Sequence, residues 1–246
     1  PRFVSLATGG LVAETTISVA SLPFLSEHMV HDQYVVPGVV FIELVLRAGA
    51  ELLGGDVTIE SLQIKRPLVL HPEAVADVQV SVERGGSGHR ASVYSRAADG
   101  TWHVHLVAEI AQRDGSVDPV GEPGFTITEP ADTSSLPAFD ATNFYTQFWH
   151  PNFRLGTSFQ LIDRARGGSG WAQATFVMPG AETRGVSAGI RPELLLLDTA
   201  VQLVALAAHE PGKLDPERPV RLGTGYRRMG VGTSVPQEPI LAAATA

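Results

Sequence analysis

Asp198 stands in the run Leu194-Leu195-Leu196-Leu197-Asp198-Thr199-Ala200-Val201-Gln202-Leu203-Val204, a single carboxylate among mostly apolar side chains. Taking a carboxylate out of water disfavours its charged form, so the pKa of Asp198 is expected to rise. A carboxylic acid kept protonated near neutral pH can give its proton to a leaving hydroxyl. Gln202, four residues on, shares a helical stripe with Asp198, where its amide could orient the acid. The same two residues also describe the wet face of an amphipathic helix, and taken alone they do not separate the two readings. The chain has no cysteine, which excludes a disulfide framework, a thiolate nucleophile and a cysteine zinc site, and which fits a reducing cytosol. Catalysis must then come from oxygen and nitrogen groups.

The elements that would position these groups fall into two halves of similar grammar. Residues 113–138 are rich in Pro, Gly, Asp and Ser, show no apolar period, and read as a linker between units at 1–112 and 139–246. The first half is expected to hold a strand near Leu11 to Ala20 and a helix from Pro37 to Leu53, stopped by Gly54 and Gly55. Strands at Val78 to Arg84, His89 to Arg96 and Thr101 to Ile110 follow, with turns at Gly85-Gly86-Ser87-Gly88 and Ala98-Asp99-Gly100. That glycine run lacks the strand-to-helix context of a phosphate loop. In the second half a short helix is expected near Ala141 to Trp149, and strands near Phe159 to Arg166 and Trp171 to Met178. A long helix from Pro192 to about His209 and a last strand near Val220 to Arg227 complete it.

Both long helices are too apolar to stand in water. From Val39 to Leu53 the charged residues are Glu43, Arg47 and Glu51, spaced by four, so one thin stripe is polar and the rest must be covered. A curved antiparallel sheet wrapped round each helix meets that need, an α+β arrangement. The apolar runs are interrupted by charge before they reach the length of a membrane span. With 246 residues at 44% hydrophobic the chain can bury a full core, and its net charge of −8 argues against a nucleic-acid role. No secretory signal opens the chain, and its ends read as those of a domain cut from a longer polypeptide.

Three stretches carry a family resemblance. The segment from His28 to Gly38 resembles the His-x3-Gly-x4-Pro motif of polyketide synthase and fatty acid synthase dehydratases, with Pro37 nine positions after His28 and Gly38 and Glu43 continuing the match. Gly156-Thr157-Ser158-Phe159-Gln160 resembles the family's Tyr-Gly-Pro-x-Phe motif, and Asp198 with Gln202 its Asp-x3-Gln/His motif. The resemblance implies a double hot-dog fold, with His28 and Asp198 meeting across a tunnel. It implies elimination: neutral His28 removes the α-proton of a β-hydroxyacyl thioester and Asp198 protonates the departing hydroxyl. It also implies a substrate carried on the phosphopantetheine arm of an acyl carrier protein, no other cofactor, neighbouring synthase domains, and pairing of two copies. Helix-start N–H groups near Gly38 are expected to meet the developing enolate oxygen.

The pattern is broken at three places. Asp32 stands where the family usually has glycine; its side chain tolerates a positive φ at a cost of about 1 kcal/mol, and its carboxylate is expected to raise the imidazole pKa of His28. Leu155 and Thr157 replace the tyrosine and proline of the second motif, which leaves oxygen-heterocycle formation, double-bond isomerisation or a non-catalytic spacer as alternatives to dehydration. His31 does not fit the motif spacing and is read as loop. His103 and His105, alternating along a strand, are read as a polar surface face rather than a metal site.

Arg164, Arg166, Arg221, Arg227 and Arg228 are explained by solvated strand edges, and they are also the cations an acidic carrier protein would meet. If they dock a carrier, reversing their charge slows turnover of a carrier-bound substrate while a free small-molecule thioester is processed unchanged. Equal effects on the two substrates would contradict docking.

Overall fold

The computed structural model describes residues 1–85, 88–113, 132–148, 152–168, 170–177, 189–208, 225–229 and 240–245. Its first elements are β1 (Arg2–Ser5), β2 (Leu11–Ile17), β3 (His28–Val30), β4 (Gln33–Val35) and α1 (Gly38–Leu53). Next come β5 (Val57–Ile64), β6 (Val69–Leu70), β7 (Ala76–Gly85), β8 (Gly88–Arg96) and β9 (Trp102–Gln112). After β10 (Ala138–Asp140), α2 (Ala141–Asn143) leads directly into a π-helical segment, Phe144–Phe148. The chain continues through β11 (Phe153–Leu155), β12 (Ile162–Gly168), β13 (Trp171–Phe176), α3 (Pro192–Ala207), β14 (Gly225–Met229) and β15 (Ile240–Thr245).

These elements form two compact units that are not simple halves. Pro1–Leu25, Gln33–Gly121 and Gly223–Gly232 make the first, and Ser26–Asp32, Glu122–Leu222 and Thr233–Ala246 the second. The short segment with His28 therefore clusters with the unit that contains Asp198. Most of the expected linker, residues 114–131, lies outside the described residues, as do 86–87 in the expected glycine turn, 169 between the second half's two strands, and 220–224 of the expected last strand.

In the first unit an antiparallel sheet runs in the order β1-β2-β7-β8-β9-β5-β14. Its strands alternate as a sheet with one covered face must: Val78, Val80 and Val82 of β7 are buried and their neighbours less so. Helix α1 covers that face, packing on β2, β5, β7, β8 and β9. Val39, Phe41, Ile42, Val45 and Ala48 are at most 3% exposed, and each large side chain among them contributes about 1.5–3 kcal/mol by leaving water. The polar stripe is graded: Glu43 is buried and holds the Arg47 guanidinium, while Arg47 and Glu51 reach solvent. Pro37 caps the helix with extended backbone, and Gly54, at φ 74°, ends it by donating its N–H to the Ala50 carbonyl.

In the second unit the antiparallel sheet is β10-β12-β13-β15, with α3 packed on β12, β13 and β15. Pro192 starts α3, and Glu193 in its first turn meets the positive end of the helix dipole. A separate antiparallel pair joins β3 to β11. Each unit thus sets one long apolar helix against an antiparallel sheet, the α+β class expected. Among the described residues no helix is long and apolar enough to cross a membrane.

Three expectations need correction. The strand placed at Phe159 starts only at Ile162, because Phe159 closes a turn by donating its N–H to the Gly156 carbonyl at 3.0 Å. The helix placed at 141–149 is one α turn followed by the π segment. His105 is not on a polar face: a bulge in the β8–β9 ladder lets both His105 and Leu106 point inward, and His105 is 2% exposed. Its Nδ1 donates to the Arg66 carbonyl at 3.1 Å, its Nε2 accepts from the Ser95 hydroxyl at 2.7 Å, and its ring stacks on Phe41.

Burial depresses the His105 pKa below the ordinary imidazole value of 6.5. The unfolded chain therefore takes up a proton that the folded protein refuses, and this stabilising contribution is lost as pH falls below about 6.5. Wild-type protein should lose stability relative to His105→Gln between pH 7 and pH 5, read from urea midpoints. A difference independent of pH would contradict this.

Candidate active site

His28 opens β3, a three-residue strand whose register is set by β11: Leu155 lies opposite His28, Arg154 opposite Met29 and Phe153 opposite Val30. The imidazole is 5% exposed and is held by two aromatic rings. Phe153 lies edge-on at 5.0 Å between centroids and Phe159 at 5.2 Å. Such contacts fix the plane of the ring and shield it from bulk water.

Phe159 is brought there by a loop wrapped tightly round Glu27. The Glu27 carbonyl accepts from Gly156 N–H at 2.7 Å, and its carboxylate accepts from Ser158 N–H at 2.7 Å, with the Thr157 hydroxyl at 3.5 Å. A Cβ on Gly156 would fall 2.5–2.7 Å from the Oε2, Cγ and Cβ atoms of Glu27. Glycine is therefore required for the close approach, not for an unusual φ. Gln160 donates to the Leu155 carbonyl at 2.6 Å and closes the loop.

The Phe159 backbone faces α3 and the π-helical segment. Its carbonyl accepts from Gln202 Nε2 at 3.0 Å, from Tyr145 Oη at 3.3 Å and from Thr199 Oγ1 at 3.4 Å. Gln202 is 4% exposed and Thr199 fully buried, so the stripe carrying Asp198 faces protein, and the wet-face reading is ruled out for it. Val204, 45% exposed, lies outward instead. Asp198 keeps some accessible surface, yet protein surrounds it closely enough that burial pushes its carboxyl up to about 7, against a smaller opposing effect of the Gln202 hydrogen bond.

Asp32 takes the positive φ expected of it. It has φ 60° and follows His31 at φ 47°, the left-handed pair that a two-residue turn needs. Its carboxylate is 81% exposed and paired with Arg154 at 2.6 Å, so its charge is screened by solvent and a guanidinium. His31 is exposed on the same turn. Leu155 is buried beside His28 in the ladder and Thr157 is exposed. Pro37 and Gly38 belong to the first unit, where they start α1.

Tyr145 and Thr199 carry contacts that sequence reasoning did not assign to them. Thr199 adjoins Asp198 in sequence, and its hydroxyl also bonds the Leu195 carbonyl one turn back. Tyr145 is delivered by the π-helical segment, which has no signature in residue type, so only its aromatic character marked it. Of the arginines, Arg164 is exposed beside Asp163 and Arg166 donates to the Thr133 carbonyl. Arg221 and the side chains of Arg227 and Arg228 lie outside the described residues. Among those residues no group of three or more His, Asp or Glu is arranged to hold a metal ion.

Comparison with known proteins gives a coherent result. The family described as "Polyketide synthase dehydratase domain" matches residues 2–96, and that described as "Polyketide synthase dehydratase N-terminal domain" matches residues 127–246. Polyketide synthase GfsE of Streptomyces halstedii is 31% identical over 218 residues, 86% of this chain. Mycoketide-CoA synthase of Mycobacterium tuberculosis is 30% identical over 213 residues, 85% of this chain. The chain spans 5% of the length of each. Among solved structures, the dehydratase domain from the CurK module of curacin polyketide synthase superposes with a TM-score of 0.78 over 100% of this chain and 85% of that one, at 20% identity. A structure addressing dehydratase substrate selection for the borrelidin and fluvirucin polyketide synthases gives 0.66 over 94% and 78%, at 27% identity.

The tight loop makes a direct prediction. Gly156→Ala should lower unfolding stability by about 1–3 kcal/mol, the usual range for overpacking, because the clash reaches the Cβ of Glu27 and not only its flexible end. Urea unfolding measures this, and an unchanged midpoint would contradict the close approach.

Proposed function

The chain belongs to the polyketide synthase dehydratase family and has its double hot-dog fold, and from that premise we propose that it removes water from a β-hydroxyacyl thioester. The substrate is presented on the phosphopantetheine arm of an acyl carrier protein, and the product is the α,β-unsaturated thioester. The neighbouring domains of a larger synthase supply the acyl chain and consume the product. The observation that carries this reading is the enclosed carboxyl of Asp198, pushed up to about 7 by burial, on a helix bonded to the residue whose ring packs on His28.

The division of labour follows from the chemistry of elimination. The α-hydrogen of a thioester is only weakly acidic, so a base must take it, and hydroxide is a poor leaving group, so an acid must protonate it. His28 accepts the α-proton, and the electron pair of that C–H bond becomes the new double bond. The Cβ–O bond breaks, and the oxygen leaves as water with the proton of Asp198. His28 ends protonated and Asp198 ionised, and proton exchange with solvent restores both. An acid of pKa about 7 is matched to this cycle, since it holds its proton in much of the population at neutral pH and recovers it readily.

Mass spectrometry of the domain incubated separately with the two enantiomers of a 3-hydroxyacyl thioester should show loss of one water from at least one of them. His28→Ala and Asp198→Asn should each lower turnover by about 10²- to 10⁴-fold. Activity should fall as pH rises through about 7, because Asp198 then loses the proton it must give. A product of unchanged mass, or either variant turning over at the wild-type rate, would overturn the proposal.

A further inference from the structure

We propose that Tyr145 is a positioning residue for the acid: its phenol fixes which way the Gln202 amide faces, and so directs a Gln202 N–H at the Asp198 carboxyl. The role of Asp198 as acid is taken from the reading above. The Tyr145 hydroxyl lies 3.0 Å from Gln202 Oε1 and 3.3 Å from the Phe159 carbonyl, and it accepts from Ile162 N–H at 3.3 Å. A phenol has one proton to give. With the Ile162 N–H occupying its oxygen, that proton goes principally to the nearer acceptor, Gln202 Oε1. The amide nitrogen is then the end that faces the Phe159 carbonyl, at 3.0 Å, and the Asp198 carboxyl.

The reverse orientation would bring Oε1 against the Phe159 carbonyl, two acceptors with no proton between them, in a site where Gln202 is 4% exposed. The Tyr145 hydroxyl, donating to Oε1, and the Phe159 carbonyl, accepting from Nε2, thus select the same one of two amide orientations that are nearly equal in shape. Donation into Oε1 also polarises the amide and strengthens its N–H as a donor. A donor to a carboxylate favours the ionised form, so the chain Tyr145 to Gln202 to Asp198 holds the acid below the value that burial alone would give.

Among the described residues, few other ionisable groups lie on the elements packed against α3. β13 and β15 carry none, Asp163 and Arg164 of β12 are exposed, and Arg166 is engaged with the Thr133 carbonyl. Glu193 is half-exposed in the first turn of α3, and His28 packs on the ring of Phe159. Tyr145 is the group whose own ionisation is pushed up by the charge of Asp198, after the larger effect of its burial.

The test is a carbon-13 NMR titration of the Asp198 carboxyl, assigned with Asp198→Asn, in wild type, Tyr145→Phe, Gln202→Met and the double variant, alongside turnover. Tyr145→Phe should move the titration upward and lower kcat by about ten- to a hundred-fold, the range for a misplaced catalytic group, with KM little changed. In the Gln202→Met background the same substitution should add no shift, since the relay is already broken. Tyr145→fluorotyrosine keeps the ring and makes a stronger donor, so it should move the titration downward even where Tyr145→Phe fails to fold. An unmoved titration in folded Tyr145 variants, or equal shifts with and without Gln202, would overturn the proposal. The titration needs no substrate, so a wild-type protein without turnover would count against the dehydratase reading alone.

Discussion

Phe159 does two things at once, and the arrangement of the site depends on both. Its ring packs edge-on against the His28 imidazole, and its carbonyl accepts the hydrogen bond of Gln202, one turn beyond Asp198 on α3. One fully buried residue therefore ties His28 and the helix that carries Asp198 to a common backbone unit. Everything that places Phe159 serves that link: the β3–β11 ladder, the Glu27 carboxylate that gathers the loop, and the glycine that lets the two segments touch. Because the ring and the carbonyl belong to one residue, a shift of that backbone disturbs both contacts together.

The enclosure of Asp198 also acts on the stability of the fold. Its folded pKa of about 7 lies above the unfolded value of 3.8, so the folded protein binds a proton that the unfolded chain releases. Stability from this group is present below the unfolded value and declines as pH rises toward 7. His105 in the other unit has the opposite sign, because burial there favours the neutral imidazole. Two desolvated groups thus act against each other across the mildly acidic range, one keeping a proton and one refusing it. His105 is closed off by Ser95, Arg66 and Phe41 and serves the core.

Much of this was legible in the residues, and the misses have physical reasons. Apolar periodicity located both long helices, with Pro37, Gly54 and Pro192 marking their ends, because caps and burial leave signatures in residue type. Isolation of one carboxylate among leucines identified Asp198 as a perturbed acid. Bulges leave no such mark, so alternation placed His105 outside when the ladder turns it inward. Tyr145 was missed because a π-helical segment rotates a side chain in a way that composition does not announce. The charge of Asp32 was legible but its Arg154 partner was not, since the two meet through the pairing of β3 with β11. Ile240–Thr245, which carries no turn or alternation signal, is a strand because β13 supplies its partner.

The central claim is that one acyl chain touches both the imidazole of His28 and the carboxyl of Asp198. It is tested most directly by a crystal structure with a stable 3-hydroxyacyl pantetheine amide bound. The account predicts the α-carbon against the His28 imidazole and the β-oxygen within hydrogen-bond reach of Asp198, with the ring of Phe159 alongside. An acyl chain that contacts only one of the two, or that lies where the other cannot reach it, would contradict the account.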